Sequence, residues 1–107
     1  MTTAQAFFYP WETVTYKITF DKADALVDYK QLMVAIRQGR KALYKSTDDL
    51  EIAGDVVTLK LSQSETGQFV KGTAYIQVNI LYEDKERDVT AIETLDVRHN
   101  LYQGPMT

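Results

Sequence analysis

Residues 72–82, GTAYIQVNILY, decide the fold class because two kinds of position alternate along them. One set of alternate positions is apolar or aromatic and consists of Ala74, Ile76, Val78, Ile80 and Tyr82. A period of two is that of an extended strand, whose successive side chains point to opposite faces. The stretch therefore predicts a central antiparallel strand with one face in a core. The preceding run, DVVTLKLS, repeats the pattern through Val57, Leu59 and Leu61.

Similar runs predict the other strands. Residues 13–20, TVTYKITF, are typical of a half-buried strand, since apolar residues alternate with threonines and a lysine. Residues 31–38, QLMVAIRQ, and 39–45, GRKALYK, predict a hairpin that turns at Gly39. A brief strand is expected at 50–52, before Gly54 and Asp55 turn the chain.

Residues 89–97, VTAIETLDV, predict a last strand, joined to the central one by the charged tip YEDKERD. Ile92 and Leu95 are three residues apart, whereas Leu95 and Val97 are two apart. The apolar pattern therefore changes phase. One extra residue in a β-bulge near Glu93 reconciles the two spacings.

Residues 62–69, SQSETGQF, carry a helical signal. Ser62 and Glu65 have the spacing of a capping box, in which each side chain bonds the backbone N–H of the other residue. We expect a single helical turn that Gly67 ends in a left-handed conformation. Phe69 then closes one end of the core.

Composition limits the class of protein. The 107 residues suit one domain, and the 12 basic and 15 acidic residues are mixed along the chain with a net charge of −3. No single-signed run attracts nucleic acid or a membrane surface, so neither is expected as a partner. No apolar run approaches the ~20 residues of a membrane span, and the N-terminus lacks the pattern of a signal peptide. The chain has no cysteine, so we expect synthesis in the cytoplasm without a disulfide framework.

These patterns together predict an all-β fold: an immunoglobulin-like antiparallel β-sandwich of about six to eight strands with one short helical turn. We expect three parts. Residues 1–12 form an irregular aromatic N-terminal arm, residues 13–98 the sandwich domain, and residues 99–107 a flexible tail.

The N-terminal arm is rich in aromatic residues, with Phe7, Phe8, Tyr9 and Trp11 grouped around Pro10. One interpretation is that these rings close one end of the core, since aromatic side chains bury large areas. The other is that they bind a neighbouring subunit, because aromatic residues are enriched at interface hot spots. Both can hold, with Trp11 inside and Phe7 or Phe8 outside. We predict these four residues as the protein-binding site.

No catalytic, cofactor-binding or metal-binding site is predicted, and we expect a protein that is not an enzyme and needs no cofactor. His99 is the single histidine, which is more typical of an exposed surface residue than of a catalytic triad. Four neighbouring acids lack the spacing of a calcium loop: Asp48, Asp49, Glu51 and Asp55. The glycines do not form a phosphate-binding motif. The seven tyrosines fit sheet packing or a platform for stacking on sugars.

The order of these segments resembles the small β-sandwich module of phage and prophage tail proteins from Gram-positive bacteria, notably the N-terminal domain of baseplate upper proteins. The matching pieces are TVTYKITF, Val27-Asp28, MVAIRQGRK, VVTLKLSQSET and GTAYIQVNILYEDKERD. Members of that family often continue into a much longer chain, whereas this sequence stops soon after the sandwich, so we expect a stand-alone module. The resemblance implies no catalytic residues and attachment to other virion proteins through sheet edges and end loops.

We therefore expect a virion structural protein of the tail or baseplate, made in the host cytoplasm and located in the virion. Its partners would be other virion proteins and further copies of itself, as a homo-oligomer. The alternative is a carbohydrate-binding β-sandwich module, in which exposed tyrosines and Trp11 stack on sugar rings.

Overall fold

Two β-sheets pack face to face around one hydrophobic core. The computed structural model describes residues 2–3, 6–20 and 24–107. In that part of the chain, the strands are β1 (Thr2–Thr3), β2 (Phe7–Phe8), β3 (Val14–Thr19), β4 (Tyr29–Gln38), β5 (Lys41–Ser46), β6 (Leu50–Ala53), β7 (Val56–Leu61), β8 (Gly72–Tyr82), β9 (Arg87–Val89) and β10 (Glu93–Val97). A 3-10 turn, Thr47–Asp49, follows β5, and the helix α1, Gln63–Thr66, follows β7.

The strand order is that of an immunoglobulin-like sandwich. The smaller sheet has the order β1-β3-β7-β6, and the larger sheet has the order β2-β10-β8-β4-β5, with β9 also paired to β8. In immunoglobulin lettering, the first order is A-B-E-D, and strands β10, β8, β4 and β5 correspond to G, F, C and C′. The predicted all-β sandwich is therefore confirmed, and eight of the strands described are three residues or longer.

One strand pair departs from the predicted antiparallel arrangement. β2 runs parallel to β10, with Phe7 opposite Asp96 and Phe8 opposite Val97. The strands β1 and β2 also lie in the segment predicted to be irregular, and they pair with different sheets. Strands of two residues carry no readable period, so pairing with distant strands decides their structure.

Alternate residues of both sheets fill the core. The predicted inward positions of the central strand are buried at Ala74, Ile76, Val78 and Ile80, and Tyr82 packs against them in part. The smaller sheet contributes Val57, Leu59 and Leu61 together with Val14, Tyr16 and Ile18, all buried. With no cysteine in the chain, apolar packing rather than a disulfide joins the two sheets.

The predicted bulge lies between β9 and β10, which both pair with β8. From Val89 to Glu93 the chain advances by four residues, while β8 retreats by three, from Asn79 to Ile76. One residue is therefore extra, as the spacing predicted. Thr90 spans the gap, since its N–H donates to the Val78 carbonyl at 3.0 Å and its Oγ1 accepts from the Val78 N–H at 3.0 Å.

The predicted capping box at α1 is present, but the role of Gly67 is different. Ser62 N–H donates to Glu65 Oε1 at 2.8 Å, and Ser62 Oγ accepts from Glu65 N–H at 3.3 Å. Gly67 has a φ of −65°, which is not left-handed. The expectation of a left-handed end was wrong, because α1 runs on into tighter turns. The N–H groups of Gln68 and Phe69 donate to the Glu65 and Thr66 carbonyls, at 3.3 and 3.1 Å. Phe69 closes the core as predicted, with 2% of its surface exposed.

The C-terminal segment, predicted to be a flexible tail, bonds to two other parts of the chain. Asn100 Nδ2 donates to the Pro10 carbonyl at 2.7 Å. Gln63 and Met106 exchange two hydrogen bonds, of 2.8 and 3.1 Å. Within the ranges described, no helix is long and apolar enough to cross a membrane.

Candidate protein-binding face

The outer surface of the larger sheet carries a group of exposed aromatic and aliphatic side chains. These residues alternate with buried ones on their strands or continue that surface, and so they point away from the core. We call this surface the aromatic face: Met33, Ala35, Arg37, Tyr44, Tyr75, Gln77, Asn79, Leu81, Val89 and Ile92. Tyr44 is 56% exposed, Tyr75 47% and Ile92 62%.

The outer surface of the smaller sheet has a different composition. Five of its six outward positions on the two central strands are threonines and lysines, and the sixth is a valine: Thr15, Lys17, Thr19, Val56, Thr58 and Lys60. The neighbouring edge strand adds Glu51 opposite Thr58. Short hydroxyl side chains and charged side chains suit a surface that faces water. Among the side chains that the structure describes, it is therefore the outer surface of the larger sheet that has the composition of a binding surface.

A shallow depression of about 510 Å³ lies in the aromatic face. Strand register explains its shape, because Ala35 lies between Tyr44 on one neighbouring strand and Gln77 on the other. The short alanine side chain leaves a low floor between larger neighbours. The rest of the lining consists of Arg37, Tyr44, Tyr75, Ile76, Gln77 and Ile92.

The bulge positions one side of this depression. Gln77 Nε2 donates to the Thr90 carbonyl at 2.9 Å, which fixes the irregular backbone against β8. Ile92 lies just before β10 resumes and is exposed rather than buried. The extra residue thus turns an apolar side chain towards the binding surface, as bulges commonly do.

Two guanidinium groups give the aromatic face a positive charge. Arg37 lies across from Tyr75 and has no hydrogen-bond or ion-pair partner among the residues that the structure describes. Arg87 donates to Asn79 Oδ1 from Nε at 3.1 Å and from Nη2 at 2.6 Å. Such a surface can pack against an apolar group and donate hydrogen bonds to a carbonyl or carboxylate.

The four predicted contact residues are not equally accessible. Phe8 is fully buried and meets Phe69 edge-on, with 5.7 Å between ring centroids. It belongs to the core and is not available to a partner in this conformation, because its inward position in β2 continues the apolar side of β10. Phe7 is half-buried and meets Tyr9 edge-on, with 6.2 Å between centroids.

A cluster around Phe7 lies at the β2 edge of the larger sheet. The Arg98 guanidinium carbon stands 3.6 Å from the centroid of the Phe7 ring, a cation–π contact. Arg98 also pairs with Asp96, at 3.2 Å from Nε to Oδ2. Tyr9 is 37% exposed beside them. Phe7 and Tyr9 thus adjoin a surface, whereas Trp11 is partly buried against Gly67.

The other residues considered for chemistry lie apart from the aromatic face or take part in local structure. His99 is exposed near the end of the larger sheet. Asp49 accepts hydrogen bonds from the N–H and the hydroxyl of Ser46, both at 3.1 Å, and so stabilises the 3-10 turn. In the ranges 2–3, 6–20 and 24–107, no group of three or more histidines, cysteines or carboxylates could hold a metal ion.

Sequence reasoning named the tyrosines as a group but did not single out Tyr44 and Tyr75. The alternation of the strand does predict the orientation of Tyr75. It lies between the inward residues Ala74 and Ile76, so its side chain must point outward. Its association with Tyr44 depends on the register of three strands, which no local pattern supplies.

Comparisons with known proteins add little to this description. No family model matches the chain, and no curated protein does. A structure of murine CRIg aligns with 92% of this chain and 95% of its own, at 11% identity and a TM-score of 0.48. The class of the chain, an immunoglobulin-like β-sandwich, follows from its own strand pairing.

Proposed function

We propose that this chain is a non-enzymatic structural protein of a phage or prophage virion, associated with the tail or baseplate, and that it acts through protein–protein contacts. The resemblance of its segment order to the small β-sandwich module of tail proteins supports the virion assignment. Other virion proteins are its partners, and the chain is made in the host cytoplasm before it joins the particle.

The observation that carries this proposal is the contrast between the two outer surfaces. The aromatic face exposes Tyr44, Tyr75 and Ile92 around a concave floor, while the opposite surface carries threonines and lysines. Tyrosine and arginine are enriched at the energetically important centres of protein interfaces. A sandwich with one aromatic face is suited to binding a neighbouring protein through that side only.

The test is to induce prophages in the source organism, band the released particles in a density gradient and measure this chain by mass spectrometry. We expect it to co-migrate with tails or whole virions in several copies per particle. An abundant host cytoplasmic protein measured in the same fractions controls for carry-over. Absence of the chain from every particle fraction would overturn the proposal.

A second candidate function is carbohydrate binding, favoured by the depression itself. Its volume of about 510 Å³ suits a small ligand. Two exposed tyrosine rings supply stacking surfaces, and Arg37 and Gln77 supply polar groups at the same place. Tyr44 and Tyr75 are therefore better candidates for stacking on sugars than Trp11, whose ring is packed against Gly67.

A glycan array distinguishes the two functions. Binding that is lost in Tyr44→Ala and Tyr75→Ala, and kept in Trp11→Ala, would favour the carbohydrate module. If the chain binds no glycan on the array and is present in particles, the carbohydrate-binding function is rejected.

A further inference from the structure

Among the residues that the structure describes, the segment before β3 carries two short strands, β1 paired with β3 and β2 paired with β10. Phe8 is its buried anchor. Two backbone bonds of 2.9 Å attach it to β10, from Asp96 N–H to the Ala6 carbonyl and from Arg98 N–H to the Phe8 carbonyl. The Tyr16 hydroxyl adds a bond of 2.9 Å to the Phe7 carbonyl. The segment thus adds one short strand to each sheet.

The connection from this segment to β3 is a tight and strained turn. Glu12 N–H donates to the Tyr9 carbonyl at 3.1 Å, which makes residues 9–12 a β-turn with Pro10 in its second position. Trp11 occupies the third position with a φ of +71°. Glycine normally occupies a turn position with positive φ, and for a bulky aromatic residue this conformation is an outlier. The closed turn therefore stores backbone strain.

We propose that a second copy of this chain is the partner of this segment, and that two copies exchange their N-terminal segments through opening of the turn at residues 9–12. In the exchanged dimer, Phe8 of each copy fills the site beside Phe69 in the other copy. There β2 pairs with the β10, and β1 with the β3, of the other copy. Every copy carries both the N-terminal segment and the site beside Phe69 that fits it. A second copy of the chain can therefore supply the segment that fills this site.

The balance between the closed monomer and the exchanged dimer depends on the turn. The contacts of Phe7 and Phe8 are the same in both forms, so their free energies cancel in the comparison. Opening of the turn lets Trp11 adopt a negative φ, and this relief of strain favours exchange. Short, strained connections are known to promote domain swapping. Three things oppose exchange: the packing of Trp11 against Gly67, the hydrogen bonds that the Pro10 and Glu12 carbonyls accept from Asn100 and Thr66, and the loss of translational freedom. Dimer therefore increases with protein concentration.

An engineered disulfide reports which copy donates the segment. Phe7 and Asp96 are register partners between β2 and β10, and the chain has no cysteine of its own. In the variant Phe7→Cys/Asp96→Cys, the closed form gives a disulfide within one chain, whereas the exchanged form joins two chains. The matched control is Lys17→Cys/Thr58→Cys, since these register partners of β3 and β7 both follow the turn and stay in one copy.

Each variant is equilibrated under reducing conditions at concentrations from micromolar to millimolar, oxidised, and separated on a non-reducing gel. We expect a covalent dimer of the 7/96 pair that increases with concentration, and cross-links within one chain for the 17/58 pair. Equal dimer formation by both pairs, or none by the 7/96 pair, would overturn exchange. If the 7/96 variant does not fold, native mass spectrometry of mixed heavy and light unmodified chains replaces it, and absence of a mixed dimer is then the contrary result.

The strain at Trp11 gives an independent test. Trp11→Gly and Trp11→Asn place residues that tolerate a positive φ in the turn. Trp11→Ala is the reference, because it also removes the ring but keeps a side chain that disfavours a positive φ. Relative to Trp11→Ala, both variants should lower the dimer fraction severalfold at a given concentration. A fraction equal to or above that of Trp11→Ala in both variants would reject the turn as the determinant. Exchange concerns the N-terminal segment and not the aromatic face, so its failure would leave the proposed virion function standing.

Discussion

Trp11 lies so close to Gly67 that the ring occupies the space of a side chain at position 67. A Cβ built on Gly67 would stand 2.5 Å from Cδ2 of the indole and 2.6 Å from Cε2 and Cε3. Any residue can adopt the φ of −65° at Gly67. Glycine is required here by space and not by backbone conformation, and the contact fixes the N-terminal turn against the end of α1.

Gly67→Ala should therefore destabilise the protein, because the indole or the end of α1 must shift to admit a methyl group. We expect a loss of about 1–3 kcal/mol in the free energy of unfolding, typical of overpacking. Urea denaturation followed by tryptophan fluorescence measures it. Gly104→Ala is the control, since a Cβ there would lie no closer than 3.8 Å to its neighbours. Equal denaturation midpoints for the two variants would contradict the steric argument.

Strand positions and burial were predictable because each long strand carries its own period. The alternation from Ala74 to Ile80 places every second side chain in the core. The change of phase in the apolar pattern between Ile92 and Leu95 indicates the bulge. These features depend on residues that are neighbours in sequence.

Features that depend on distant pairing were not predictable. Whether Phe7 or Phe8 is buried follows from the register of a two-residue strand with β10, which no local period specifies. The need for glycine at position 67 comes from Trp11, far away in the sequence. The depression in the aromatic face likewise requires Ala35 to lie between Tyr44 and Gln77, an arrangement of three strands.

Thr66 is buried, and its hydroxyl bonds the N-terminal turn to α1. Its Oγ1 donates to the Glu12 carbonyl at 2.7 Å. Thr66→Val keeps the shape and leaves that carbonyl without the hydroxyl, so we expect a loss of about 1–2 kcal/mol in the free energy of unfolding. Thr94→Val, at an exposed position of β10, should change stability by less than about 0.5 kcal/mol. Chemical denaturation measures the free energy of unfolding of both variants. A Thr66→Val protein as stable as the unmodified chain would show that the hydrogen bond to Glu12 contributes little.

Glu65 makes stability depend on pH. Burial raises the pKa of its carboxyl, but Lys45 and Ser62 together outweigh burial and hold the pKa below its ordinary value. Lys45 Nζ lies 2.5 Å from Glu65 Oε2. A carboxyl with a lowered folded-state pKa contributes stability above its unfolded-state pKa, and this contribution disappears as pH falls through the folded-state pKa.

Glu65→Gln should therefore be less stable than the unmodified chain at neutral pH, by about 1 kcal/mol. The difference should shrink towards zero at an acidic pH below the lowered folded-state pKa, where the carboxyl is protonated in both states. Urea denaturation at the two pH values measures the change, with the exposed Glu83→Gln as control. A deficit of the same size at both pH values would mean that the side-chain charge is not its cause.

The aromatic face should matter for assembly and not for folding. Tyr44 and Tyr75 are both about half exposed, so Tyr44→Thr/Tyr75→Thr removes little buried area, and threonine suits a strand. We expect the free energy of unfolding to change by less than about 1 kcal/mol. Incorporation into particles, or affinity for the neighbour recovered from them, should fall about tenfold or more, as for loss of interface hot spots. Lys17→Thr/Lys60→Thr changes two outward residues of the opposite sheet and serves as the control. Equal incorporation of both double variants would place the binding surface elsewhere on the domain.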